Sequence, residues 1–172
     1  MARQRKGHVA MGIVAESIIA NVAEGHLKRN LAEMNSVMQK LGWTPSGSVA
    51  PPACRRWEGG GVVLHLASWG DGWAIDFIFA EVWPEDVDEL GSEAIDSAIE
   101  EQLPFCHEVQ ESLLQVLRSR TSVSVGEGGE FDDSEFVESS VWNVAGSPLA
   151  VGIASNDVDT PVLVMARLLL GS

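Results

Sequence analysis

Basic residues are scarce in this chain and tyrosine is missing altogether. Eleven Lys and Arg stand against 25 Asp and Glu, a formal net charge of −14 over 172 residues. Sequence-independent binding of DNA or RNA needs clustered cations, so that balance argues against a nucleic-acid partner. It argues equally against docking on an anionic membrane surface. Only two cysteines occur, Cys54 and Cys106. Two thiols make neither a disulfide framework nor a four-ligand zinc site. They read as small core residues of a reduced, cytoplasmic protein.

Long apolar runs are also lacking. A basic start, Met1 to His8, leads into Val9 to Ala23, a stretch broken by Glu16 and Asn21. It is short of the ~20 residues that cross a bilayer. The small-residue cleavage pattern of a signal peptide is poor. The run from Val162 to Leu170 is broken by Arg167. Phosphate-binding signatures are absent: Gly59–Gly61 is not followed by Lys-Ser or Lys-Thr, and no Gly-x-Gly-x-x-Gly follows a strand. Gly-x-Ser-x-Gly and His-Glu-x-x-His are missing as well. No cofactor and no metal are implied.

What is present is an ordinary globular mixture, 45% hydrophobic and 21% charged. The length suits one domain, or one domain with an appendage. Residues 1–26 read as a basic tip and a short amphipathic helix, and residues 27–172 as a single α+β domain. Charge is unevenly laid out. Residues 1–30 carry +3 and residues 31–60 carry +1, whereas residues 61–138 hold two basic and nineteen acidic groups. The whole negative excess therefore sits in the middle of the chain.

Periodicity orders the elements. Leu31, Met34, Val37, Met38 and Leu41 form a helical stripe within Leu27–Leu41, which Gly42 can stop. Cys54–Glu58 reads as a short strand. Val62–Trp69 and Trp73–Trp83 read as two longer strands rich in β-branched and aromatic residues. Gly70-Asp71 suits a two-residue hairpin loop with glycine first. With Trp69 opposite Gly72, Leu64 faces Phe77, Leu66 faces Ile75 and Ser68 faces Trp73. One face of the hairpin is then apolar throughout, and a one-residue slip would mix the faces. From Ser92, apolar positions Ile95, Ile99, Leu103, Cys106, Val109, Leu113 and Leu117 mark a long helix. Pro104 predicts a kink or restart in it. Thr121–Glu138 reads as a loop, followed by strands at Glu138–Ala145, Leu149–Ala154 and Pro161–Leu169. The order α-βββ-α-βββ predicts an antiparallel meander with helices packed on one face.

Several constellations bear on function. His65 and Asp76 face each other across the hairpin, a building block of base catalysis. No nucleophile in a tight turn accompanies them, so a cross-strand polar pair is the plainer reading. Cys106 and His107 point roughly 100° apart on a helix and do not share a site. His107 and Glu111 share a face but make a weak metal pair. Glu100, Glu101, Glu108 and Glu111 line a solvated helix face. Six tryptophans occur. Trp57 and Trp73 read as core, while Trp69 and Trp83, at strand ends near acidic groups, read as interface anchors. The connection Glu85, Asp86, Asp88, Glu89 is acidic. So is the loop Glu127, Glu130, Asp132, Asp133, Glu135, Glu138, in which Phe131 and Phe136 are interleaved. Such surfaces speed and orient association with a basic partner. The loop lacks the ligand spacing of an EF-hand.

A helix ending Leu41-Gly-Trp43, a strand meander, a long amphipathic helix and a final Trp-bearing hairpin resemble small bacterial proteins of unknown function. Several of these are actinobacterial, and they include immunity proteins of polymorphic toxin systems. The order is also similar to the secretion-chaperone-like fold, which ends in a further helix. The resemblance spans residues 27–170 by pattern and shares no residue motif, so it implies a fold and a binding role but no site residue. The expectation is a non-enzymatic acidic protein that occludes a basic protein partner, as an immunity or antitoxin-type inhibitor does. The alternatives are a chaperone for a secreted or phage-encoded protein, which would form a homodimer, and a small hydrolase using carboxylates or His65/Asp76.

Overall fold

A computed structural model describes residues 2–23, 30–120, 122–128, 131, 135–156 and 159–171, with side chains in the first helix from Met11 to Val22. The chain opens with helix α1, Ala2–Ala23. Met11, Val14, Ala15, Ile18 and Val22 are buried. That spacing lays one apolar stripe of α1 on the domain core, so α1 and the later elements share one hydrophobic cluster. A hydrogen-bond chain docks it: Trp43 Nε1 donates to Ser17 Oγ at 2.8 Å, and Ser17 Oγ donates to the Ile13 carbonyl at 2.8 Å.

Helix α2 spans Leu31–Lys40. Its start is set by Asn30, whose side chain accepts from the Glu33 amide at 2.9 Å. Residues 27–29, where the periodicity predicts its first turn, lie outside the described residues. Four strands follow: β1 Thr44–Pro45, β2 Arg56–Gly59, β3 Val62–Trp69 and β4 Gly72–Val82. Then come the single turn α3, Val87–Leu90, and the long helix α4, Ser92–Arg118. Pro104 stands inside α4 without ending it. Its position is exposed, and a proline there removes the amide that would otherwise donate to the Glu100 carbonyl. Four more strands complete the chain: β5 Val125–Glu127, β6 Phe136–Val144, β7 Ser147–Ala154 and β8 Val162–Leu170.

All eight strands form one antiparallel sheet in the order β1-β2-β3-β4-β8-β7-β6-β5. Two four-strand meanders are thus joined where β4 pairs with β8. The β3–β4 hairpin has the register expected from its alternation, with Leu64 opposite Phe77, Leu66 opposite Ile75 and Trp69 opposite Gly72. Gly70 has φ +55°, as a glycine-first hairpin loop requires. The apolar face of the hairpin is buried beneath the helices, with Trp43 tilted on Phe77 at 6.2 Å between ring centroids. The fold is α+β, as the pattern predicts. The two-residue β1 and three-residue β5 are additions, one at each sheet edge.

Candidate functional site: an acidic ridge and a buried arginine

Between Trp57 and Leu117 the chain contains fourteen Asp and Glu and no Lys or Arg. The fold gathers most of these carboxylates outward. Glu81, at the end of β4, and Glu85, Asp86, Asp88 and Glu89, around α3, are all exposed. Glu93, Asp96, Glu100, Glu101, Glu108 and Glu111 continue along the outer side of α4, also exposed. The reason is the stripe of α4. Ala94, Ala98, Cys106, Val109, Leu113 and Leu117 are its buried positions, with Ile95, Ile99 and Leu103 half-buried beside them, so the carboxylates on the remaining side face solvent.

Apolar groups stand among these charges. Trp83 is 59% exposed and Leu90 50% exposed. The Trp83 indole donates to Glu81 Oε1 at 3.1 Å, which holds the ring against the carboxylate rather than in the core. Phe105, 37% exposed, lies between Glu101 and Glu108 at helical neighbour spacing. His107 meets Glu138 Oε1 at 3.1 Å and ties α4 to β6 at this outer edge. Burial, with the nearby Glu138 charge second, pushes the Cys106 thiol up to about 11. A thiol so rarely ionised and fully buried is a packing residue, not a nucleophile.

The acidic segment before and along β6 does not present one face. Glu130, Asp132 and Asp133 lie outside the described residues. Glu127 is exposed on edge strand β5. A β-bulge separates Phe136, opposite Ala154, from Glu138, opposite Ile153. The extra residue sends the two side chains to opposite faces of the sheet. Glu138 therefore joins α4, while Phe136 and Glu135 join the other face. Phe131 packs edge-on against Phe136 at 5.8 Å.

On that other face sits the cation that interrupts the apolar run of β8, a residue to which the sequence pattern assigns no partner. Arg167, 7% exposed, donates from Nε and Nη2 to the two oxygens of Asp76 at 2.7 and 2.8 Å. Its Nη1 donates to Glu135 Oε2 at 2.9 Å. The guanidinium lies 5.2 Å from the Trp69 ring centre and 5.9 Å from that of Phe136. The signal in the sequence is a lone cation within an otherwise apolar strand, which, once buried, demands a carboxylate partner elsewhere. Asp76 and Arg167 are direct cross-strand partners in the β4–β8 pairing.

Trp69 and Trp83, both read as anchors, are thereby separated. They flank β4, whose eleven residues span about 35 Å at ~3.3 Å per residue. Trp83 belongs with the ridge, and Trp69 with Arg167. His65 lies opposite Asp76, but both Asp76 oxygens are engaged by Arg167. Burial depresses the His65 pKa, the Asp76 charge opposing this and Arg56, Arg55 and Arg167 adding to it.

Among the described residues, no group of three or more His, Cys, Asp or Glu is placed to hold a metal ion. No helix among them is long and apolar enough to cross a membrane. The architecture defines the class: an α+β protein with helices against one face of a single antiparallel sheet. Comparison with protein-family models, with curated proteins and with solved structures gives no match to this chain.

Proposed function

We propose that this is a non-enzymatic binding protein whose acidic ridge receives a basic protein partner, as an immunity or antitoxin-type inhibitor does. One observation carries the reading. From Glu81 to Glu111 eleven carboxylates are exposed, no Lys or Arg offsets them in sequence, and Trp83 and Leu90 project among them. A surface dense in charge of one sign steers an oppositely charged protein to it. Exposed aromatic and aliphatic groups then supply the desolvated anchor. Inhibition follows by occlusion, since a bound protein covers the partner's own site. The engagement of Asp76 by Arg167 supports a binding role over a His65–Asp76 hydrolase, because the carboxylate is already committed.

The experiment is affinity capture from the native host at rising salt, with identification of the retained chains and rebinding in purified form. The expected result is a basic polypeptide held at low salt and released as ionic strength rises. Rebinding should weaken at least tenfold with Glu85→Gln, Glu89→Gln, Glu93→Gln and Glu100→Gln combined. Absence of any basic chain at low salt, or unchanged rebinding by the combined variant, overturns the proposal. A stable homodimer in light scattering that retains an unfolded export substrate favours the chaperone reading instead.

A further inference from the structure

The two halves of the chain repeat one plan. Helices α1 and α2 precede the meander β1–β4, and α3 and α4 precede the meander β5–β8. Taken from either edge, the sheet has the same succession of strands, with β1 answering to β5 and β4 to β8. The halves meet in the sheet only where β4 and β8 run antiparallel, from Trp73 opposite Leu170 to Val82 opposite Val162. Antiparallel pairing of equivalent strands is what a two-fold axis produces, so this seam has the form of an isologous interface between two protomers. The segment Trp83–Gly91 carries the chain from one half to the other, and none of its residues is buried. At its centre Asp86 stands at φ +57°, a conformation that residues with a side chain seldom adopt, and it caps α3 without a side-chain hydrogen bond. Glu85, Asp86, Asp88 and Glu89 crowd this strap with like charge, which favours its extension.

We propose that the seam is exchangeable: β4 of one copy takes β8 of a second copy, giving a dimer in which the two C-terminal halves have changed places. The contacts across the seam, those of α1 on α4 included, are kept in such a dimer, and only the strap changes course. Straightening it releases Asp86 from its left-handed turn. The opposing cost is electrostatic, because two acidic straps and two chains of net charge −14 come together. Low salt therefore holds the protein as a monomer, and screening shifts it towards the dimer. Exchange requires the whole seam to open, so the two forms interconvert slowly. The ridge's own partner plays no part in this exchange, and its binding has the opposite salt dependence.

The test places one cysteine on each side of the seam, Ile78→Cys with Met165→Cys, at positions that are Cα partners. The chain is refolded from urea with reductant at high protein concentration, in low and in high salt, and monomer and dimer are separated by size. Each is then oxidised in the native state, where Cys54 and Cys106 are buried, and run in denaturant without reductant. The monomer should close its bond within one chain. The dimer should appear as covalently joined chains, and its share should rise at least threefold from low to high salt. A refolded population that is monomeric at every salt, a dimer that separates in denaturant, or a dimer share unmoved by salt would each overturn the proposal. Ala74→Cys with Leu169→Cys, also partners across the seam, serves the same comparison if the first pair does not bond in the monomer.

Discussion

Removing the Asp76 carboxylate puts the buried ion pair to its most direct test. In Asp76→Ala, Arg167 keeps its charge at 7% exposure but loses two donor contacts of 2.7 and 2.8 Å. Breaking a buried pair by deleting one partner costs about 3–5 kcal/mol, because the survivor is left charged in a poor solvent. Glu135 still accepts from Nη1 at 2.9 Å, which places the cost near the lower end, about 3 kcal/mol. Replacing both partners, with Asp76→Leu and Arg167→Met, removes the uncompensated charge and should cost much less than the single change. The assay is urea unfolding followed by tryptophan fluorescence and by circular dichroism, at neutral pH. A loss below about 1 kcal/mol in Asp76→Ala, or a double variant no better than the single one, would refute the reasoning. The first outcome means that the pair is solvated, the second that it acts through packing.

Three further outcomes follow from the geometry. Ser17→Ala strips the buried Trp43 indole of its acceptor and should cost about 1–3 kcal/mol in the same urea assay. Ala145 sits at φ +50° next to Gly146 at +91° in the β6–β7 turn. Ala145→Asn supplies the Asn-Gly pair that such a turn prefers and should raise stability by about 0.5–1 kcal/mol, read as a higher urea midpoint. The His65 pKa is lowered from its ordinary 6.5, chiefly by burial. The unfolded chain then binds the proton first, so stability should fall as pH drops below 6.5 towards the folded value. His65→Gln should flatten that part of the pH profile, and an unchanged slope between the two proteins would remove His65 as its source.

Local alternation made the central hairpin legible. A period of two over Val62–Phe77 and a glycine-first loop leave one register that keeps the apolar residues together. The stripe of α4 was legible for the same reason, since seven apolar positions repeat at helical spacing. The partner of β4 was not legible. Its neighbour β8 lies at the far end of the chain, and Asp76 meets Arg167 across 91 positions. Neither residue's local context announces that pairing. The acidic segment at 127–138 was visible as composition, but not its division between faces, because one bulged residue near Val137 decides it. The edge strands β1 and β5 are too short to carry a period. The ridge was half legible. Its charges were plain in the sequence, but only the burial of the α4 stripe shows that they point outward together.

The ridge is proposed as a landing surface for a cationic protein. The most direct measurement is the association rate of the purified partner with the wild type and with the variant neutralised at Glu85, Glu89, Glu93 and Glu100, over a range of ionic strength. The expected result is a wild-type rate that falls steeply with salt, and a variant rate at least tenfold lower at low salt with a shallower slope. Superimposable rates for the two proteins at every ionic strength would contradict it.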